Sequence, residues 1–297
     1  MSDTLTRARE RAAHELGMTD GRLIGRGLEF EVWRMRHPEW GEVVVRLPAS
    51  EKLGNVNDPE VDPAALHRHE ASVYAYLAGT DIPVPRSYAL LRFEVDVAVS
   101  EYIENDGSGF DSVELGRLLA RLHALPPMPN IAPSRAADAF RGTLVERLRR
   151  RWETLRGLDP GLPAPPPAAE LAAAMPAAAT SLLHLDVRAE NVLCRAGKIK
   201  ALIDWTNSLI GDPAFELARA EQYAPYPENG LDLAALLRGY ASVRPLPSRS
   251  ARCTAVYRLD SAVMLALVFN SESPDPRRGP ESLAVVHELI ERWQALR

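Results

Sequence analysis

Three observations predict an α+β chain in two lobes, a small antiparallel-sheet lobe with one inserted helix followed by a mostly helical lobe. Strand-like runs bounded by turn formers dominate residues 21–101, and helical periodicity dominates from residue 113 onward. Between them lies the cluster Asn105-Asp106-Gly107-Ser108-Gly109, a natural connector. The expected lobes are residues 1–103 and 104–297. With 297 residues, 46% hydrophobic and 25% charged, the chain has ample material for a sizeable core.

In chain order, residues 3–16 read as a helix, and from Gly21 the pattern changes to strands: GRLIGRG, then EFEVWRMRH, a break at His37-Pro38, then GEVVVRLPA. Asp62-Pro63 opens a helix as cap and first turn, with Leu66, Val73 and Leu77 at helical spacing. Ser87–Arg92 and Val95–Glu101 read as two further strands. Val113–Ala124 and Leu144–Leu155 are periodic helices, and the arginines at 147, 149, 150 and 151 read as a solvated face. Residues 157–176, rich in Pro and Ala, read as a loop with one short helix. Asp212-Pro213 starts another helix, and three more segments, LDLAALLRGYASV, ARCTAVYRLDSAVMLALVFNS and GPESLAVVHELIERWQALR, complete the chain as helices.

Charge and composition exclude several classes. A net charge of −5 argues against nucleic acid, which requires a concentrated basic face. Two cysteines, Cys194 and Cys253, make neither a disulfide framework nor a zinc site, and Cys194 alternates within an apolar strand as a small core residue. The first residues, MSDTLTRARERAAHELG, are charged and amphipathic without the apolar stretch of a secretory signal. No uninterrupted apolar run of about 18 residues occurs, so no membrane span and a cytoplasmic protein are expected.

The chemistry is concentrated in SLLHLDVRAENVLCRAGKIKALIDW, Ser181 to Trp205. Apolar Val192–Cys194 and Ile199–Ile203 flank a turn and predict a β-hairpin. A two-residue turn at Ala196-Gly197 sets Asn191 opposite position 202, with Asp204 at the same open end; a turn at Gly197-Lys198 sets Asn191 opposite Asp204 itself. Either register gathers two oxygen donors, which suits Mg²⁺, a cation that takes one or two carboxylates with phosphate oxygens and waters. Asp186, one short loop upstream, remains free to accept a proton from a hydroxyl.

The order H-x-D-x-x-x-x-N, then a strand ending in Asp, resembles the phosphoryl-transfer layout of protein-kinase-like enzymes. The wording HLDVRAENVL and LIDWTNSLIGDP resembles the aminoglycoside/macrolide phosphotransferase and choline kinase superfamily, and GLEFEVW with VVVRLP leans to its macrolide kinases. The resemblance implies a bilobal protein-kinase-like fold and Mg²⁺-dependent transfer of the γ-phosphate of ATP or GTP to a hydroxyl of a small molecule. It implies Asp186 as base and Arg188 as a partner of the transferring phosphate, with Asn191 and Asp204 holding the metal. Nucleotide contacts fall to Gly25 and Gly27, to Arg46 where the superfamily keeps a lysine, to Glu70 as the partner of Arg46, and to the backbone of Glu101 and Ile103 at the hinge. His184 reads as a structural brace and Asp212 as a helix cap. Phe30 stands where a third glycine of the nucleotide loop would fall, and Glu190 where the superfamily often has glycine.

An antibiotic acceptor, inactivated by phosphorylation, follows from the macrolide-kinase lean; no dense acidic cluster in residues 220–297 favours an aminoglycoside, while Tyr223, Tyr226, Tyr257, Met264 and Phe269 read either as an apolar acceptor pocket or as the core stripe of their helices. Two rivals stand beside it: a metabolic kinase for an amino alcohol, sugar or biosynthetic intermediate, and a nucleotide-binding module without catalysis.

Overall fold

The computed structural model of the chain describes residues 3–27, 29–50, 56–59, 61–177 and 180–296; Leu28, within the expected nucleotide loop, lies outside them. Helix α1 (Asp3–Glu15) precedes strands β1 (Thr19–Arg26), β2 (Phe30–His37) and β3 (Gly41–Pro48), then α2 (Pro63–Leu77), β4 (Ser87–Arg92) and β5 (Asp96–Glu101). Helices α3 (Ser112–Leu122), α4 (Phe140–Leu158) and α5 (Ala168–Ala174) lead to β6 (Ser181–Leu183). After the hairpin β7 (Val192–Arg195) and β8 (Lys198–Leu202) come β9 (Leu209–Gly211), α6 (Pro213–Tyr223), α7 (Leu233–Ala241), α8 (Ala251–Leu267) and α9 (Arg278–Ala295).

The residues form two compact units. One comprises Met1–Gly54, Asp58–Gly109 and Asn191–Thr206; the other comprises Asn55–Asn57, Phe110–Glu190 and Asn207–Arg297. Compared with lobes drawn at residue 103, residues 104–109 and the hairpin group with the sheet. The reason is local. Leu202 N–H donates to the Pro83 carbonyl at 2.8 Å, Asp106 N–H to the Cys194 carbonyl at 3.1 Å, and the Asp106 and Ser108 side chains receive the Ala196 and Gly197 N–H groups at 2.8 and 2.9 Å. The Ala196 N–H first, then the Ser108 hydroxyl and N–H, hold the Asp106 carboxyl down at about 2.

The sheet unit is built on five antiparallel strands in the order β1-β2-β3-β5-β4. Strand β3 alternates with period two: Val43, Val45 and Leu47 are fully buried and pack with Leu5, Ala8 and Ala12 of α1, while Arg46 points to the opposite face. The break at His37-Pro38 is a tight turn, where the His37 ring accepts the Glu39 and Trp40 N–H groups at 3.1 Å. Asp62 caps α2 by accepting the Ala64 N–H at 3.0 Å, with Pro63 at the first turn. In the hairpin, Ala196 and Gly197 both have positive φ, 52° and 69°, so the two-residue turn takes the twist that strands prefer. Arg195 pairs with Lys198 and Cys194 with Ile199, but Val192 pairs with Leu202 after a bulge. The extra residue carries Asn191 opposite Ile203, whose N–H donates to the Asn191 carbonyl at 3.0 Å, a position between the two simple registers.

In the helical unit, α3 and α7 cross so closely that a Cβ on Gly116 or Gly239 would sit 2.0 Å from a carbonyl oxygen of the other helix. Helix α8 packs against α4, α6 and α9. The segment Ala251–Glu272 is long and apolar enough to cross a membrane by length and composition, and 61% of that stretch is buried inside the fold, as befits a core helix. Of the α4 arginines, Arg150 is exposed as the clustering suggests, but Arg147 and Arg151 do not belong to a solvated face. Arg147 donates to both oxygens of the fully buried Asp260 at 3.1 and 2.9 Å, and Arg151, on the same face one turn on, is buried with its guanidinium 3.9 Å away. Burial alone would push the Asp260 carboxyl up; Arg147, Arg219 and Arg151 together hold it below the usual range. The α+β class and its division into an antiparallel sheet and a set of helices are as the sequence predicts.

Candidate active site

On the sheet unit, β3, α2 and the end of β8 bring Arg46, Glu70 and Asp204 together from three distant segments. The Arg46 guanidinium forms an ion pair with Glu70 and lies 3.6 Å from Asp204 Oδ1. It also stacks on Phe30, 4.6 Å from the ring centroid, and Phe30 stacks in turn on His67 at 4.4 Å. A planar guanidinium makes an ion pair and a stacking contact at once, which a lysine ammonium does not reproduce. Burial would lower the Arg46 pKa, but Glu70 and Asp204 outweigh it and keep the group charged. Its Nε is buried without a hydrogen-bond acceptor, a donor poised for an anion.

Glu70 is itself a junction. Its carboxylate accepts the Tyr74 hydroxyl at 3.2 Å and the Trp205 N–H at 3.2 Å, so one side chain of α2 fixes both Arg46 and the backbone beside Asp204. Asp204 adopts a left-handed φ of 62°, rare for a residue with a side chain, and its Oδ1 accepts the Thr206 hydroxyl at 2.7 Å. Its side chain keeps about a third of its surface exposed, whereas Asn191 is buried. These two offer one carboxylate and one amide oxygen, the hard donors Mg²⁺ takes, and among the described residues no cluster of three or more His, Cys, Asp or Glu side chains offers an alternative cage. The donor chemistry fits Mg²⁺ held with phosphate and water.

The other residues expected at the nucleotide lie on the same unit. Gly25 pairs with Val32 across β1 and β2, and the Gly27 N–H donates to the Phe30 carbonyl at 2.8 Å, closing the turn. That bond removes the Gly27 N–H from a phosphate cradle; neither glycine has a positive φ. Glu101 ends β5, where its N–H donates to the Arg86 carbonyl at 2.8 Å and its carboxylate accepts the Arg86 N–H at 3.1 Å. Ile103 follows β5 outside any helix or strand, partly exposed.

On the helical unit, Asp186 and Arg188 follow β6. Leu185 has a left-handed φ of 65°, a strained conformation for leucine, and both of its backbone groups are tied down. Glu216 accepts the Leu185 N–H at 2.6 Å and the His184 N–H at 3.1 Å; Arg219 donates to the Leu185 carbonyl at 2.8 Å. Glu216 is held by the His123 ring at 2.8 Å, and although burial pushes its carboxyl up, the hydrogen bond and charge of His123 hold it below the usual range. His184 is the brace the sequence suggests, its Nδ1 accepting the Asp186 N–H at 3.2 Å. Asp186 Oδ1 accepts the Tyr223 hydroxyl at 2.9 Å, and the Arg188 Nε lies 3.3 Å from Oδ1. Arg188 also pairs with Glu190, the residue that replaces glycine. Asp212 caps α6 at Ala214 N–H and accepts two hydrogen bonds from Arg249, at 2.6 and 2.8 Å, and one from Tyr257 at 2.8 Å.

Glu216 and Arg219 escaped the sequence reading, and Tyr223 entered it only as pocket lining. The available signal was their spacing: 216, 219 and 223 share one face of a helix capped by Asp212 and Pro213. Of the two readings of the aromatic stripe, pocket or core, Tyr257 takes the second: it is fully buried, with its hydroxyl on Asp212.

A model of the phosphotransferase enzyme family matches residues 20–251. Among solved structures, a thermostable mutant of aminoglycoside phosphotransferase APH(4)-Ia in ternary complex with ADP and hygromycin B is similar at 15% identity over 95% of this chain and 97% of that one, with a TM-score of 0.64. Macrolide 2'-phosphotransferase type I is similar at 16% identity over 96% and 98%, with a TM-score of 0.62. An aminoglycoside-3'-phosphotransferase of type VIII is similar at 21% identity over 87% and 98%, with a TM-score of 0.62. No curated protein matches the chain.

Proposed function

This chain belongs to the phosphotransferase enzyme family, and we propose that it transfers the γ-phosphate of a purine nucleoside triphosphate to a hydroxyl of a small, largely apolar molecule, an antibiotic of macrolide type. The observation that carries the transfer reading is the Arg46–Glu70–Asp204 cluster with its unpartnered Nε. A fixed cation beside a partly exposed carboxylate is what a triphosphate and its metal require. The similar enzyme seen with ADP and hygromycin B supports a nucleotide donor and an antibiotic acceptor.

In this reading, Asp186 accepts or orients the proton of the acceptor hydroxyl as that oxygen attacks phosphorus. Arg46, braced by Glu70, grips the phosphates, and Arg188 neutralises charge on the transferring group. Gly25 and Gly27 give room to the nucleotide loop, and the backbone of Glu101 and Ile103 meets the base. Asn191 and Asp204 would hold Mg²⁺, which when bound screens the phosphate charge and orients the leaving oxygen. Arg46 does the complementary work from the protein side, since its charge is fixed at every working pH.

The acceptor class follows from where the acids go. A polycationic aminoglycoside needs uncommitted carboxylates, yet six of those after residue 220 are engaged. Glu221 pairs with Arg258 at 2.8 Å, Glu228 with Arg278, and Asp260 with Arg147 and Arg219. Glu272 accepts the Asn57 N–H at 2.7 Å, Asp232 caps α7, and Asp275 accepts the Arg277 and Arg278 N–H groups at 2.9 Å. Tyr226 and Phe269, with ring centroids 5.2 Å apart, offer an aromatic surface instead, with the Arg278 guanidinium 5.5 Å from each ring.

The test is a phosphorylation assay with ATP and GTP against macrolides, aminoglycosides and amino alcohols, read by the mass gain of one phosphoryl group. Macrolides are expected to be modified and Asp186→Ala to be inert. Modification of amino alcohols alone would shift the reading to a metabolic kinase. Nucleotide binding without turnover under any acceptor would leave only a binding module.

A further inference from the structure

Helix α6 grips three consecutive residues of the loop after β6 with three side chains of one face. Glu216 takes the His184 and Leu185 N–H groups, Arg219 the Leu185 carbonyl, and Tyr223 the Asp186 carboxylate. The spacing 216, 219, 223 is the repeat that aligns side chains along a helix. The first two hold main chain. Of these three, Tyr223 is the one that holds the reactive side chain.

We propose that Tyr223 is a positioning residue for Asp186: its hydroxyl holds Oδ1, sets the plane of the carboxylate, and turns the other oxygen to the acceptor hydroxyl. The proposal rests on the reading of Asp186 as the base. The direction of the hydrogen bond supports it. Tyr223 is buried, and burial together with the neighbouring Asp186 charge pushes its phenol well above the usual range, so it stays a neutral donor wherever the enzyme works. The segment after the helix anchors its backbone, since the Tyr223 carbonyl accepts the Asn229 side-chain amide at 2.8 Å.

Other groups also bear on Asp186 and its loop. Arg188 approaches Oδ1 at 3.3 Å and Oδ2 at 3.4 Å but is shared with Glu190. Arg219 is shared between the Leu185 carbonyl and Asp260, at 2.8 and 2.9 Å. The His184 ring receives the Asp186 N–H, and Glu216 lies behind that backbone. Removing the Tyr223 hydroxyl therefore takes a directed donor from the carboxylate while every charge around it stays. A donor to the ionised form favours that form, so its loss makes the carboxylate easier to protonate.

Tyr223→Phe is expected to lower kcat about tenfold, the effect of one hydrogen bond, with nucleotide KM unchanged. The acidic limb of the kcat/KM pH profile is expected to move to higher pH. A tyrosine that only fills space would lose some thermal stability and leave that limb where it was. Unchanged kcat with an unmoved limb, while Asp186→Ala is inactive, would overturn the proposal and leave the base reading intact. Full activity of Asp186→Ala would instead remove the base itself, and the proposal with it. Should Tyr223→Phe fail to fold, 3,5-difluorotyrosine at position 223 keeps the shape and strengthens the donor. The limb is then expected to move to lower pH, and an unmoved limb overturns the proposal.

Discussion

The two units hold their reactive groups by different means. On the sheet unit, Arg46 is held by side chains: an ion pair with Glu70, the flank of Asp204 and the face of Phe30. On the helical unit, Asp186 is held chiefly through main chain, with Leu185 pinned at both its N–H and its carbonyl by buried charges of α6. A side-chain cluster with one donor unpartnered can close around an incoming anion. A strained loop clamped at its backbone cannot drift, which suits a base whose orientation decides the rate. On the proposed assignment, binding is organised through side chains and proton transfer through main chain.

That contrast breaks most severely at the reactive acids. Asp186→Ala is expected to lower kcat by about 10²- to 10⁴-fold, the range of a lost general base, with nucleotide affinity retained. Asp204→Ala is expected to abolish Mg²⁺-dependent nucleotide binding while the fold persists. Titration calorimetry with and without Mg²⁺ separates the two, and unchanged affinity in the second variant removes Asp204 from the metal.

The next effect is on stability and should be confined to the helical unit. Glu216→Ala leaves the His184 and Leu185 N–H groups and the His123 ring without their shared acceptor. Removing one partner from such a buried arrangement costs about 3–5 kcal/mol, measurable in urea unfolding of the full chain. A loss below about 1 kcal/mol, within the net worth of a single ordinary hydrogen bond, would show that the loop does not depend on its clamp.

Arg46 sharpens the comparison from the other side. Arg46→Ala is expected to weaken nucleotide affinity about tenfold or more, and Arg46→Lys by less, since charge survives but the pairing and stacking plane do not. Equal affinity for all three proteins would make the cluster structural.

A last effect is a pH dependence that His67 carries on the sheet unit. Burial, then the Arg46 charge, lowers the pKa of His67 from 6.5 to about 3. The unfolded chain therefore takes up a proton near pH 6.5 that the folded form refuses until about pH 3. The contribution is complete above the higher value and shrinks as pH falls toward the lower one. The melting temperature of the wild type should decline across that window more steeply than that of His67→Phe; parallel curves would place His67 outside the balance.

Much of this was legible in the linear chain. The Ala196-Gly197 turn, the caps at Asp62 and Asp212 and the alternation of Val43, Val45 and Leu47 depend on torsions and neighbours within a few residues, and pattern reading finds them. The bulge that moves Asn191 by one position, the turn bond that takes the Gly27 N–H and the burial of Arg147 and Arg151 were not legible. Each depends on a partner that the local pattern does not name.

The order of acids and amide from Asp186 to Asp204 and the family to which the chain belongs are properties of the sequence, because that spacing and those short-range preferences survive in any context. Tertiary structure decided that Glu70 reaches both Arg46 and Trp205, and that one face of α6 holds the loop carrying Asp186. The physical reason is that a buried charge must find an opposite charge or a donor wherever packing offers one, and packing is settled between segments tens to more than a hundred residues apart.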